Sequence, residues 1–351
     1  MPDVRAATPA DRAELLTLIR EMIPGVDAEA RWRWLYERNP GGPALSWLAG
    51  IDGQTVGCTS FFPFRLWLDG AIVLAALGGD GYVRPAARRN GVGSALHRAS
   101  RDAMHAYRLG CMYGAPAALN VTPLKRGGSV VVGDVVRWVR PIRPAALGLH
   151  SRLLARLAVA PSHTPDLEPM QRHDERVDEI WLAARRELRL AAVRDAAFYT
   201  WRFLDAPAGR QRAFVIVERG APIGACAVEV TRGGTVLTVL DLIAIPGAWH
   251  AGLRAIVRYA AEHTAANLVD LKLLADDGRH RPLWRCGFTE RERKPFLCMI
   301  PPGGDRRFLD PQRWCYTGAD SDLDTLEPLD TVAAPHGGLV SAPHDRQARH
   351  G

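Results

Sequence analysis

The sequence predicts a mixed α/β fold, an α+β arrangement with a mixed sheet, built twice along one chain. Residues 45–62 (LSWLAGIDGQTVGCTSFF) and 213–230 (AFVIVERGAPIGACAVEV) share one plan. Each runs an apolar strand, a short polar turn containing Gly, and an apolar-Gly-small continuation, which is the pattern of a β-hairpin. Each hairpin follows an aromatic segment, RWRWLYERNPGG over 31–42 and FYTWRFLDAPAG over 198–209, that carries Trp and Tyr into an Asn or Asp close to a Pro. Strands and helices then alternate in the same order after both hairpins, as expected of an internal duplication.

The elements follow in turn. After the first hairpin come a strand over 71–77, a helix over about 91–108, the short apolar segment CMYGAP and a last strand VVVGDVVRWVRP. After the second come the strand TVLTVLDLIAIPG, the helix HAGLRAIVRYAAEH, the strand LVDLKLLA and, in RPLWRCGF, a short helix ending at Gly287. The Pro- and Ala-rich stretch between the units reads as a connector with one short helix. Beyond Pro301 the Gly, Pro and Asp content leaves little periodicity, and disorder is expected beyond about Asp330. The boundaries expected are a first unit over 1–145, a linker over 146–175, a second unit over 176–302 and an irregular tail over 303–351.

At 351 residues the chain exceeds what one core usually holds, which agrees with two units. Hydrophobic residues make up 47% and charged residues 24%, a balance suited to packed cores with a solvated surface. No apolar run reaches the ~18 to 20 residues that cross a bilayer, so neither a membrane-spanning helix nor a membrane partner is expected. The N-terminal MPDVRAATPADRAELL carries acidic residues and no basic patch ahead of an apolar stretch, so it does not read as a signal peptide and the expected compartment is the cytoplasm. Cys58, Cys111, Cys226, Cys286, Cys298 and Cys315 stand singly, with no CxxC pair and no short Cys/His spacing. They read as reduced thiols, and no metal is expected. A net charge of +7 suits a polyanion, yet the arginines are scattered and no nucleic-acid motif accompanies them. A pocket for a small phosphate-rich ligand accounts for the charge as well, and nucleic acid is not expected as a partner.

The stretch RRNGVGSAL, residues 88–96, carries the chemistry. Tyr82 and Val83 finish a strand and Pro85 stops its ladder. Gly91 and Gly93 permit a positive φ or a close approach at the start of a helix. The first amides of that helix lack intrahelical partners and lie at the positive end of its dipole, so they form an anion site. Arg88 and Arg89 add charge-assisted donors, and pyrophosphate is the natural guest. The spacing Arg88-x-x-Gly91-x-Gly93 is neither the dinucleotide fingerprint nor a P-loop.

At these residues the chain resembles the GNAT superfamily of acyl-CoA-dependent N-acyltransferases, whose acyl-CoA motif is Arg/Gln-x-x-Gly-x-Gly/Ala after a V-x-P strand end. The resemblance covers roughly residues 1 to 145. It reaches the second unit through element order and through LWRCGF, similar to the L-x-x-x-G-F that closes the family's fold. In that unit the segment IPGAWHAGL replaces the motif, so the resemblance implies two tandem GNAT-like domains of which the second has a degenerate cofactor site. It implies acetyl-CoA or another acyl-CoA as co-substrate, held by Tyr82, Val83, Arg88, Arg89, Asn90, Gly91, Val92, Gly93 and Ser94. Asn120, in APAALNVT, stands where the family often places an Asn on the pantetheine arm; a loop-turn Asn is the alternative.

Acyl transfer to an amine requires a neutral amine, a stabilised oxyanion and a protonated leaving thiolate. Asp80, in GGDGYV, is the candidate base, unless it only orders its loop. His97 and His105 lie on the following helix and read as ordinary helical residues. Tyr113 is a possible acid, because the family's usual Tyr after Asn120 is replaced by TPLKRGGSVV, and a mechanism of positioning alone is also open. Trp32, Trp34 and Tyr36 could line an acceptor pocket or pack a helix in the core. The expected function is transfer of an acetyl or longer acyl group to a primary amine of a small molecule, such as an amino sugar, antibiotic or amino acid derivative, by direct attack on the thioester. A protein lysine or N-terminal amine as acceptor, and a non-catalytic acyl-CoA-binding module, are the alternatives. The sequence does not define the oligomeric state.

Overall fold

The two aromatic segments meet back to back. Trp34 and Trp201 stack with centroids 5.3 Å apart, and each indole donates to the other's backbone carbonyl, Trp34 Nε1 to Trp201 O at 2.6 Å and Trp201 Nε1 to Trp34 O at 2.9 Å. This reciprocity is the centre of the molecule, a computed structural model of which describes residues 2–147, 164–280 and 283–321.

The first run of elements is β1 (Asp3–Ala6), α1 (Arg12–Met22), α2 (Ala28–Arg31) opening into a π-helical turn (Trp32–Glu37), β2 (Leu45–Ile51), β3 (Gln54–Leu68), β4 (Ala71–Val83), α3 (Val92–Ala103), β5 (Met112–Gly114), α4 (Ala118–Arg126) and β6 (Val130–Pro141). The second is β7 (Asp166–Pro169), α5 (Glu175–Ala184), β8 (Leu190–Ala192), α6 (Ala196–Tyr199) opening into a π-helical turn (Thr200–Leu204), β9 (Gln211–Glu218), β10 (Ala221–Thr231), β11 (Val236–Ala244), α7 (Trp249–His263), β12 (Leu268–Leu274), β13 (Thr289–Met299) and β14 (Trp314–Cys315). Both expected hairpins form. Their turns, Asp52-Gly53 and Arg219-Gly220, have positive φ at both central residues, the geometry that matches strand twist in a two-residue hairpin.

One mixed sheet carries the fold in the order β1-β2-β3-β4-β5-β13-β6-β12-β11-β10-β9-β7. It reads alike from both ends about the antiparallel β13–β6 pair: β4 and β5 run parallel on one side, β11 and β12 on the other. The last long strand of each run has crossed over, since β6 pairs with β12 and β13 pairs with β5. A central core of both runs, including Phe62, Tyr113, Phe198 and Phe296, lies against one face, while α3 and α7 cover separate cores.

Three expectations are refined. The helix over 91–108 ends at Ala103 and gives way to turns. The end of the connector forms an edge strand, β7, and most of its expected short helix lies outside the described residues. The stretch after Pro301 is irregular but built into the core. Phe308, Trp314, Tyr316 and Ala319 are buried there, because short 3-10 turns capped by Asp305, Asp310 and Thr317 satisfy its backbone. The disorder expected beyond Asp330 also lies outside the described residues. No helix among the described residues is long and apolar enough to cross a membrane.

Candidate functional site

A parallel pair that stops early opens the sheet. β4 and β5 pair only at Ala76–Met112 and Leu77–Tyr113; beyond them β4 runs on with β3 as its strand partner, while β5 ends at Gly114. The continuation of β4 is Gly78-Gly79-Asp80-Gly81-Tyr82-Val83, whose glycines put no side chain into the gap. At Gly78 a Cβ would come within 2.7 Å of Met112 Sδ, so any larger residue requires the Met112 side chain to shift. Opposite Cys58–Ser60 the strand bulges, and Asp80 takes φ +44° inside a strand. The result is a cleft with a backbone wall.

The cleft leads to the start of α3. Pro85–Ala87 form a 3-10 turn, Arg89 and Gly91 take φ +68° and +76°, and Gly91 caps the helix. A Cβ at Gly91 would meet nothing within 4 Å, so the left-handed backbone explains the glycine and the space beside it stays free. The first intrahelical bond is Ala95 N to Gly91 O at 3.0 Å, which leaves the amides of Val92, Gly93 and Ser94 as helix-end donors, with no acidic residue in the first turn. Gly93 faces α4, where a Cβ would lie in ordinary van der Waals contact with Pro123 at 3.5 Å. Asn90, Arg88 and Arg89 are exposed, and the Arg88 Nε donates to Val83 O at 3.0 Å. Neither arginine makes an ion pair among the described residues. The loop thus offers three helix-end amides and two arginines without an ion pair among the described residues on one side of the cleft, a set that fits a pyrophosphate. Tyr82 and Val83 are half-buried at the strand end, and Asn120 is exposed in the first turn of α4, inside a helix rather than a loop.

The chemistry-bearing side chains lie behind the wall. Asp80 is buried, with Oδ1 2.6 Å from Arg31 Nη2 and Oδ2 accepting from Tyr36 Oη at 2.7 Å and Arg31 Nε at 3.2 Å. Burial, followed by the Asp80 charge, pushes the Tyr36 phenol well above its ordinary range. Trp32 stacks on Tyr36 at 4.3 Å and is partly exposed, its Nε1 donating to Glu37 Oε1 at 2.8 Å, while Trp34 is buried at the junction of the two runs. Tyr113 is fully buried beside Phe64, Phe296 and Trp314, and its hydroxyl has no hydrogen-bond partner among the described residues. Burial raises its pKa as well. His97 sits where α3 meets α4; burial pulls its pKa down to about 4. His105 is exposed and meets Pro302 O at 2.9 Å.

Across the molecule the same construction recurs with a different end. β11 and β12 pair from Val236–Leu268 to Val239–Leu271 and then part. Asp241, at the place of Asp80, accepts from Arg194 Nε and Tyr199 Oη at 2.9 Å each. This second cleft is filled by the chain's own segment 314–321. Thr317 Oγ1 donates to Asp241 Oδ1 at 2.8 Å, Arg194 Nη2 binds Asp320 Oδ2 at 2.6 Å, and Gly318 packs so closely that a Cβ would lie 3.0 Å from Leu240 O. The helix start there, Trp249-His250, presents bulky side chains, with the Trp249 indole bonded back to Leu242 O at 3.2 Å. Arg31, Arg194 and Asp241 were not singled out by sequence reasoning; the available signal was an Arg five residues before the Tyr of each aromatic segment, Arg31 before Tyr36 and Arg194 before Tyr199.

No family model and no curated protein matches the chain. Solved structures do. A GCN5-related N-acetyltransferase from Anabaena variabilis is 15% identical with a TM-score of 0.64, covering 86% of this chain and 73% of that one. A probable N-acyltransferase from Enterococcus faecalis is 12% identical with a TM-score of 0.65 over the same shares. The N-myristoyltransferase of Saccharomyces cerevisiae with bound myristoyl-CoA is 10% identical with a TM-score of 0.55, covering 85% and 82%. The chain therefore shares the fold of these solved N-acetyltransferase and N-acyltransferase structures.

Proposed function

We propose that the chain is an acyl-CoA-dependent N-acyltransferase whose acceptor is a primary amine of a small molecule. The observation that carries this is the open cleft of β4 ending at the left-handed Gly91 and the unpartnered amides of α3. The amides of Val92 to Ser94 bind the pyrophosphate, with Arg88 and Arg89 neutralising it, and Asn120 lies on the helix across the cleft for the pantetheine arm. The edge of β4 from Gly78 to Val83 orients the thioester. Acyl-CoA or acetyl-CoA supplies the activated acyl carbonyl; the amine nitrogen bonds to that carbon as the carbon–sulfur bond breaks, and the amine's proton leaves as the thiolate gains one.

Asp80, the expected base, has Arg31 and Tyr36 on its carboxylate, and Tyr113, the expected acid, is enclosed by aromatic rings. We assign both to structure and assign the proton transfers to solvent, so that catalysis rests on positioning. Trp34 and Tyr36 pack the core, and Trp32 alone borders solvent. We read the chain as two tandem units that trade their last strands, the second lacking a cofactor site.

The test is a thiol-release assay with acetyl-CoA and longer acyl-CoAs against a panel of small amines and of peptides. Release accelerated by a small amine supports the reading; acceleration by peptides alone moves the acceptor to protein; tight binding without acceleration leaves a binding module. Gly91→Glu places a carboxylate at the pyrophosphate position and is expected to abolish CoA binding with the fold intact. Unchanged affinity would sink the assignment.

A further inference from the structure

The two clefts share a buried Arg–Asp–Tyr cluster, yet the backbone it holds differs. In the first, Arg31 and Tyr36 clamp an aspartate whose φ of +44° is left-handed, and Asp80 is the one such non-glycine residue inside a strand among the described residues. That conformation carries strain for an L-residue. In the second, Arg194 and Tyr199 hold Asp241, which stays in register with Ala227 beside a bulge at Leu240, and Asp241 is not left-handed. The fold therefore builds this element without the strain when the cleft is filled by Thr317 and Gly318. The strained version stands where the wall is bare, at the residues between the end of β5 and the phosphate loop. Both Arg31 and Asp80 side chains are almost wholly buried, at 2% and 1%, so the clamp is stiff and dry.

We propose that Arg31 and Tyr36 are positioning residues that hold the Asp80 bulge so that the backbone of Gly79 to Gly81 faces the thioester carbonyl. This rests on the acyl-CoA reading above. Neither side chain touches the reacting atoms; they act through the shape of β4.

The experiment compares acetyl-CoA with CoA by calorimetry on the wild-type protein and on Tyr36→Phe, Asp80→Asn and Tyr199→Phe. The pyrophosphate anchor is common to both ligands, so their affinity ratio isolates the acyl end. The wild type is expected to favour acetyl-CoA by about tenfold, the equivalent of one hydrogen bond. Tyr36→Phe and Asp80→Asn are expected to bring the ratio to within about twofold while CoA affinity holds, and Tyr199→Phe, the matched change in the filled cleft, is expected to keep the wild-type ratio. Thermal unfolding of Tyr36→Phe and Tyr199→Phe measures the structural loss common to both clusters. A wild-type ratio near one, an unchanged ratio in Tyr36→Phe, or an equal loss in Tyr199→Phe overturns the inference. Failure of the wild type to bind either ligand overturns the acyl-CoA reading instead.

Discussion

The first and second clefts start from one plan and end as opposites. Each lies between parallel strands that part after a few paired residues, and each backs onto a buried aspartate held by an arginine and a tyrosine. One is walled by Gly78, Gly79 and Gly81 and left open among the described residues; the other runs along the buried Leu240, Leu242 and Ile243 of β11 and is closed by Thr317 to Asp320. A parted sheet exposes backbone and apolar side chains, and something must cover them. Residues 314–321 provide that cover in the second cleft, whereas no described segment does so in the first. The same difference extends to the helix starts, where Gly91 leaves free space and Trp249 fills it.

The largest effect is expected where the cover is cut. In Asp320→Ala the buried Arg194 keeps Asp241 but loses its second carboxylate, and the buried Thr317 amide loses its acceptor, a combined loss of ~3 kcal/mol. Urea unfolding should show that loss, and a change below ~1 kcal/mol would mean that the segment does not seal the cleft. Acetyl-CoA affinity measured on the folded fraction should stay at the wild-type value.

A smaller loss follows from crowding the same cover. Gly318→Ala sets a Cβ 3.0 Å from Leu240 O and 3.2 Å from Leu240 Cα, and overpacking of this kind costs ~1–3 kcal/mol. Gly91→Ala adds its Cβ to open space and pays only for its φ of +76°, about 1 kcal/mol, yet it should weaken CoA binding where Gly318→Ala does not. Equal effects of the two on CoA affinity would erase the distinction between an open and a filled cleft. At the centre, where the two runs are equivalent, Trp34→Phe and Trp201→Phe each remove one indole–carbonyl bond and should destabilise by about 1 kcal/mol each, alike to within ~0.5 kcal/mol. A marked inequality would show that the symmetry is one of outline and not of energy.

Much of this was legible in the sequence, and the exceptions have physical reasons. The hairpins announced themselves through apolar strands joined by short polar turns containing Gly, and the start of α3 through Gly91. The crossing of β6 and β13 did not, because which strand pairs with β5 is decided by tertiary packing; in TERERKPFLCM the exposed charges of 289–294 also mask the buried Phe296 to Met299. The buried arginines were hidden for a related reason. Arg31 and Arg194 read as solvated side chains until their carboxylates, 49 and 47 residues away, are brought to them. In the segment after Pro301, Gly and Pro drew attention from Phe308, Trp314 and Tyr316, whose apolar area was the signal of a packed region.

The smallest effect near neutral pH belongs to His97, which probes a contact special to the open cleft. α3 packs on α4 there, and at Gly127 a Cβ would lie 2.5 Å from the His97 Cβ, so the glycine sets the helix approach that half-buries His97 and encloses its Nδ1. Its Nδ1 has no hydrogen-bond partner among the described residues, and burial lowers its pKa from 6.5 to about 4. The folded chain then binds fewer protons at this site than the unfolded chain between those values, so stability falls as pH drops from 6.5 toward 4 and levels off below it. Above 6.5 the imidazole is neutral in both states and contributes no pH dependence. Thermal unfolding of the wild type and of His97→Asn across this window should give curves that converge as the pH falls, since the variant lacks the titrating group. Parallel curves would show that His97 is solvated, and that α3 and α4 stand further apart than the contact at Gly127 requires.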